Sequence, residues 1–199
     1  FAKGFPVDPD KVKVPDYCTL PQWPEIKEEV AKYHSQTMKM DAMIGEVLDS
    51  LDKLDLSDNT MVVFVSDNGP PFPGNKMTLY DRGIAVPLLV RWPNKIKSGK
   101  SDTMISSIDI APTILQAAGV RVDQSIEGRS FLAHLTREGE YHERKAIYAE
   151  MTDHVLYVPM RAVRTERFKY IKNYSDSAVG LDQNLHMDWA HRLVELSQQ

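Results

Sequence analysis

Three residues in one short stretch have types and spacing suited to chemistry. Asp67 and Asn68 stand side by side, and Lys76 follows them across a Gly/Pro-rich loop, in SDNGPPFPGNKMTLYDRG (66–83). A carboxylate and an amide oxygen are hard oxygen donors of the kind that Ca²⁺ or Mg²⁺ prefers. Lysine adds a compact fixed cation. A metal-ligand pair and a cation a few residues apart suit the binding of a sulfate or phosphate ester. Asp-Asn-Gly alone also describes a plain turn, since these residues favour turns for backbone reasons, and Gly-Asn-Lys is an ordinary loop sequence.

The elements on either side must position these groups. Met61 to Val65 is an apolar run rich in β-branched residues, as in a strand buried on both faces. The polar pair follows it at once, at the carboxyl end of a strand, where ligands gather in open α/β sheets. A second buried strand stops at Trp92-Pro93. Upstream, Pro6, Pro9, Pro15, Pro21 and Pro24 exclude long regular structure. Pro24 to Leu54 then carries Ile26, Val30, Tyr33, Thr37, Met40, Ile44, Val47, Leu51 and Leu54 at spacings of three and four. That pattern predicts a long amphipathic helix lying across a sheet. His34 beside it reads as a packed or surface histidine.

Downstream, Asn94 to Asp102, with Lys95, Lys97 and Lys100, reads as a solvated basic loop. Asp109 is placed to cap a helix with Pro112 in its first turn and Gly119 closing it, with Ile110, Ile114 and Leu115 facing the core. Gly128 to Leu135 reads as a turn and short helix. The charge-dense stretch Thr136 to Lys145 reads as a surface joint. Ala146–Met151, Met160–Thr165 and Arg167–Lys172 read as short strands, the last two joined by a hairpin at Thr165-Glu166-Arg167. Arg167-Phe168-Lys169-Tyr170 alternates basic and aromatic residues, which in a strand means one buried and one wet face. Leu185, Trp189, Leu193 and Leu196 share one face of a predicted terminal helix.

Composition narrows the classes. The 199 residues carry a net charge of −4, which implies no general affinity for nucleic acid. No apolar run approaches the ~20 residues of a membrane span. The single cysteine, Cys18, excludes an internal disulfide. The chain opens on Phe1 without a leader-like segment, which reads as a mature or truncated piece.

Taken together, Ser66-Asp67-Asn68-Gly69, Lys76 in GNKMTLYDRG, Val86 to Pro93, SSIDIAPTILQAAGV (106–120) and RAVRTERFKYIKNY (161–174) resemble ordered segments of the type I sulfatases of the alkaline phosphatase superfamily. The resemblance covers the chain from about Val7 onward. Pro71-Phe72-Pro73, Ala85 and Tyr157 to Arg161 are most similar to the N-sulfoglucosamine sulfohydrolase (heparan sulfamidase) branch. It implies an α/β fold, the C-terminal part of a sulfatase-type α/β sandwich over residues 1–136. A small antiparallel sheet plus terminal helix follows over 145–199. It implies that Asp67 and Asn68 are calcium ligands, that Lys76 holds a sulfate oxygen, and that His154 and Arg161 contact the sugar. An Arg161 paired with a carboxylate for structure is the alternative. Glu150 and Asp153 are further candidates for sugar hydroxyls.

The family's nucleophile is a formylglycine made from Cys or Ser in a C/S-x-P/A-x-R motif. Cys18 sits in CTLPQ, which lacks the proline and arginine, and no serine fits. The formylglycine and the first metal ligands are therefore expected in a missing N-terminal half, and this chain is expected to be inactive alone. The implied partner is a sulfated sugar. The implied location is periplasmic or secreted, lysosomal in a eukaryote. The alternatives are a phosphatase or phosphonate hydrolase of the same superfamily, or a non-catalytic binding module.

Overall fold

The structure, a computed structural model, describes residues 2–15, 20–153 and 157–175. The predicted terminal helix lies outside these residues. Two compact units divide the described chain: residues 2–57 with 64–88, and residues 58–63 with 89–175. The joint expected over 136–145 lies inside the second unit.

The first unit is built around helix α1, Pro24–Lys53. Pro24 opens it, where a missing N–H costs nothing, and Glu25 sits in its first turn near the positive end of the dipole. The proline-rich segment before it forms only one 3-10 turn, Pro9–Lys11, capped by Asp8. This segment still supplies much of the core. Val12, Val14 and Leu20 pack with Ile26, Val30 and Ala31 of α1 and with Phe72, flanked by Val7 and Trp23. The Tyr33 ring meets Phe72 edge-on at 5.7 Å. Gln22 holds the irregular segment as a strand partner would, accepting from the Val14 N–H (3.0 Å) and donating to the Val14 carbonyl (2.8 Å). Ser35 is fully buried on α1; its Oγ accepts from Ala2 N (2.7 Å) and donates to the Phe5 carbonyl (2.6 Å).

The apolar face of α1 is buried only in its first half. Met40, Met43 and Val47 are exposed. The predicted helix was to lie across a sheet, but its buried residues pack on the irregular segment and Phe72. A helix of 30 residues is about 45 Å long, and the cluster that covers it reaches only as far as Ala31 and Ser35.

Strand β1 (Val62–Val65) pairs with β2 (Leu88–Arg91). These strands were expected to be buried on both faces. Instead β1 is half-buried with Val65 exposed, and β2 alternates half-buried and exposed positions, leaving Leu89 in solvent. Among the described residues the sheet has these two strands alone, so neither is flanked on both edges. A single turn of helix, α2 (Asp81–Ile84), connects them.

In the second unit, α3 (Ile110–Ala117) and α4 (Leu132–Thr136) precede an antiparallel sheet of β3 (Ala146–Asp153), β4 (Tyr157–Thr165) and β5 (Lys169–Asn173). The three strands, their order and the turn after Thr165 follow the sequence pattern. The turn closes with Thr165 N donating to the Phe168 carbonyl (2.8 Å). Helices and two sheets together make an α/β architecture with a small antiparallel sheet at its end.

The unit is pinned by Asp109, which is fully buried. Its carboxylate accepts from Ser106 N (3.0 Å), Arg129 N (2.7 Å), Arg144 Nε (2.7 Å) and Arg144 Nη2 (2.5 Å). Burial pushes this carboxyl up, but the Arg144 guanidinium and the two backbone N–H groups outweigh it and hold the group below the usual carboxylate range. Asp109 was expected to cap α3; it instead completes a capping box with Ser106 on the 3-10 turn Ser107–Asp109. Arg144 was expected on a surface joint; it turns inward to meet this charge. Thr113, not the expected Ile114, is the buried face of α3. It donates to the Asp109 carbonyl (2.6 Å) and accepts from Phe131 N (3.0 Å), while Ile114 is exposed.

Candidate functional site

Asp67 and Asn68 leave β1 at its carboxyl end, where Ser66 N still donates to the Pro87 carbonyl ahead of β2 (3.3 Å). The turn is wound by its own side chains. Ser66 Oγ donates to the Asn68 carbonyl (2.9 Å), and Asp67 Oδ1 accepts from Asn68 N (2.9 Å). Asn68 Nδ2 donates to the Gly69 carbonyl (2.8 Å). Asp67 is exposed and Asn68 half-buried. One carboxylate oxygen and the oriented amide oxygen remain as oxygen donors, which suits Ca²⁺ in type. Calcium takes 6–8 oxygens, and no group of three His, Cys, Asp or Glu able to hold a metal occurs among the described residues. The pair fits as part of a shell.

The loop then folds back to return Lys76. Lys76 N and Phe72 N both donate to the Pro70 carbonyl (3.2 and 2.8 Å), two residues beyond Asn68. Asn75, fully buried, donates through Nδ2 to the carbonyls of Pro73 (2.9 Å) and Phe72 (3.3 Å), and its Oδ1 has no hydrogen-bond partner. Thr78 Oγ1 donates to the Asn75 carbonyl (2.7 Å). Two glycines let α2 press against this knot. A Cβ on Gly69 would lie 1.8 Å from the Arg82 carbonyl oxygen, and one on Gly83 would lie 2.3 Å from that of Thr78 and 2.4 Å from that of Asn75. Gly69 N donates to the Gly83 carbonyl (3.0 Å), closing the loop. Asn75 and Gly83, which help to hold the site, were not singled out by sequence reasoning. The residue types in Gly-Asn-Lys give no sign that the asparagine is the buried one.

Asp67, Asn68 and Lys76 thus belong to one loop of the first unit. Arg161 is on β4 in the second unit. Its Nε meets Glu150 Oε2 across the sheet (3.0 Å), and its Nη1 donates to the Met160 carbonyl (2.8 Å) and Thr152 Oγ1 (3.2 Å). The carboxylate pairing foreseen as the alternative for Arg161 is present. His154 lies outside the described residues. Asp153 ends β3 opposite Tyr157, past an irregularity in the register. Of the alternating residues expected to make one buried and one wet face, Phe168 and Tyr170 are exposed, while Lys169 and Ile171 are half-buried.

Residues 1–120 match the sequence model of the sulfatase family, and residues 74–191 match that of the N-sulphoglucosamine sulphohydrolase C-terminal region. The chain belongs to the type I sulfatases, in the N-sulphoglucosamine sulphohydrolase branch. It is 36% identical to an ulvan-active sulfatase of Formosa agariphila, over 82% of this chain and 27% of that protein. It is 30% identical to human N-sulphoglucosamine sulphohydrolase, over 83% of this chain and 35% of that protein. A solved structure of a protein in complex with its substrate D-glucosamine-2-N,6-O-disulfate superposes with a TM-score of 0.65 at 27% identity, covering 89% of this chain and 40% of that one. The phosphonate monoester hydrolase of Silicibacter pomeroyi superposes with a TM-score of 0.66 at 25% identity, covering 96% of this chain and 44% of that one. The chain therefore spans about a third of the length of these two curated relatives.

Proposed function

We propose that these 199 residues are part of a polypeptide that hydrolyses sulfate ester or N-sulfate groups of sulfated sugars, N-sulfoglucosamine units among them, outside the cytoplasm. The observation that carries this reading is the loop from Asp67 to Gly83. It brings two hard oxygen donors and a lysine onto one tied turn at the end of a strand, in a chain of sulfatase lineage. Asp67 and Asn68 would hold calcium together with ligands from the remainder of the polypeptide. Calcium, when bound, supplies charge neutralisation for the sulfate oxygens. Lys76 would hold a sulfate oxygen and stabilise the charge that develops on the leaving group. The tied loop fixes the backbone of all three residues, so little reorganisation is needed as charge develops. The nucleophile would lie in the remainder of the polypeptide, and the 199 residues alone would be inactive.

The test is sulfate release from N-sulfoglucosamine and from 6-O-sulfated glucosamine by the complete polypeptide, with and without EDTA. Lys76→Ala is expected to lower turnover by roughly 10²–10³, the loss typical of one preorganised stabilising donor. Unchanged turnover would remove Lys76 from the mechanism. A second reading, phosphonate monoester hydrolysis, is favoured by the Silicibacter pomeroyi superposition. Faster turnover of a phosphonate monoester than of either sulfated sugar would select it.

A further inference from the structure

Asn68 is the one asparagine of this chain that precedes a glycine. An Asn-Gly pair is chemically labile. Glycine has no side chain to shield its backbone nitrogen, and that nitrogen can attack the side-chain carbonyl carbon of the asparagine before it. The bond from Gly69 N to Asn68 Cγ forms and the Cγ–Nδ2 bond breaks. Nδ2 leaves as ammonia, taking up through solvent the proton lost from Gly69 N. The product is a cyclic imide, which water opens at either carbonyl. Opening at Cγ gives aspartate and restores the peptide bond. Opening at the main-chain carbonyl gives isoaspartate, with Gly69 N left on Cγ. No oxidant or reductant takes part.

The fold holds this reaction off. Attack needs a free Gly69 nitrogen and rotation about the Asn68 backbone and side chain. Gly69 is buried, and its N–H donates to the Gly83 carbonyl (3.0 Å). Its α-carbon is pressed against α2, since a Cβ there would lie 1.8 Å from the Arg82 carbonyl oxygen. Asn68 is tied three times: its N–H donates to Asp67 Oδ1 (2.9 Å), its carbonyl accepts from Ser66 Oγ (2.9 Å), and its Nδ2 donates to the Gly69 carbonyl (2.8 Å). We propose that Asn68-Gly69 is a latent deamidation site that the loop 66–83 keeps closed, so that opening of the loop converts Asn68 irreversibly to aspartate or isoaspartate. The product does not fit back. Isoaspartate adds a carbon to the main chain, and the displaced backbone would have to move against α2. Either product sets a second carboxylate beside Asp67. The loop that carries Lys76 is then remade by a reaction whose only co-reactant is water. The chemistry is independent of what the loop binds and goes beyond the hydrolytic reading.

The experiment is peptide mapping by mass spectrometry of the complete polypeptide after incubation at mildly alkaline pH, folded and in urea. Trypsin releases residues 54–76 as one peptide, which carries Asn59 and Asn75 beside Asn68. Those two asparagines precede Thr60 and Lys76 and serve as internal references. In urea Asn68 should lose its amide faster than either. In the folded protein its loss should be slower by about tenfold or more, because the rate follows the population of the open loop. Gly83→Ala, which crowds the contact with Thr78 and Asn75, should speed the folded rate by about tenfold or more, up to the rate in urea. Ser66→Ala removes one tie and no packing, and serves where Gly83→Ala does not fold; it should speed the loss by roughly two- to tenfold. Isoaspartate is read by enzymatic methylation of the same peptide. Equal rates folded and in urea overturn the proposal. So does loss at Asn68 in urea no faster than at Asn59, or a folded Gly83→Ala or Ser66→Ala variant as protected as wild type.

Discussion

Arg144→Ala tests the energetics of the second unit most directly. The substitution leaves the Asp109 carboxylate, which is 0% exposed, with only the N–H groups of Ser106 and Arg129. Two charge-assisted hydrogen bonds disappear and the buried charge has no counter-ion. Breaking a buried pair from one side costs about 3–5 kcal/mol. For a chain of this size each kcal/mol moves the melting point by about 2–4 °C, so the variant should melt roughly 6–20 °C lower at pH 7. The pH dependence gives the sign. In the folded wild type the Asp109 pKa is held below that of an ordinary carboxyl, so the pair's contribution is present above the unfolded pKa and is lost as pH falls through the lower folded one. In Arg144→Ala, burial without the guanidinium raises the folded pKa, so protonation relieves the defect. The gap between wild type and variant should be widest at pH 6–7 and narrow towards pH 4. Differential scanning calorimetry at several pH values reads this. Melting within 2 °C of wild type at pH 7, or a gap independent of pH, would refute the idea that Asp109 is an ion-paired pin.

Gly83→Ala should destabilise the loop that carries Lys76 by about 1–3 kcal/mol or more, because its Cβ would lie 2.3 and 2.4 Å from the backbone carbonyl oxygens of Thr78 and Asn75, so that backbone must shift; urea denaturation measures it, and a neutral result would mean the loop is loosely held. Ser35→Ala should cost about 1–3 kcal/mol, since the buried Ala2 N–H and the partly buried Phe5 carbonyl lose their partner. Hydrogen exchange should rise selectively over residues 2–15, and unchanged protection there would show that the segment is held by Val12 and Val14 alone.

Periodicity made much of the fold legible. The start of α1 at Pro24, the β1 strand and the three terminal strands lie where pattern and turn residues place them. Tertiary cover was not legible, because propensity describes the chain and burial describes its surroundings. Met40, Met43 and Val47 continue the stripe of Ile26 and Val30, yet only the first half of the stripe meets the segment with Val12 and Val14. Arg144 shows the same gap in polar form. Among five other charged or titratable residues between Arg137 and Lys145, nothing local distinguishes the one that reaches a carboxylate 35 residues earlier.

The candidate site was legible where its chemistry is carried by residue type, and silent where it is carried by packing. Asp67, Asn68 and Lys76 announce themselves as donors and a cation. Asn75 does its work through buried bonds to Phe72 and Pro73 that no spacing rule implies. Strand alternation is the intermediate case. A period of two states that Phe168 and Tyr170 share a face, but gives no sign for that face. Hydrophobicity would turn the rings inward. The sign was decided by β4, whose Met160 and Ala162 are buried and so fix the inward face of the whole sheet. Register then carries Ala149 and Ile171 in with Ala162, and Tyr148 and Tyr170 out with Val163. An aromatic row in solvent is thus a consequence of the central strand's core residues.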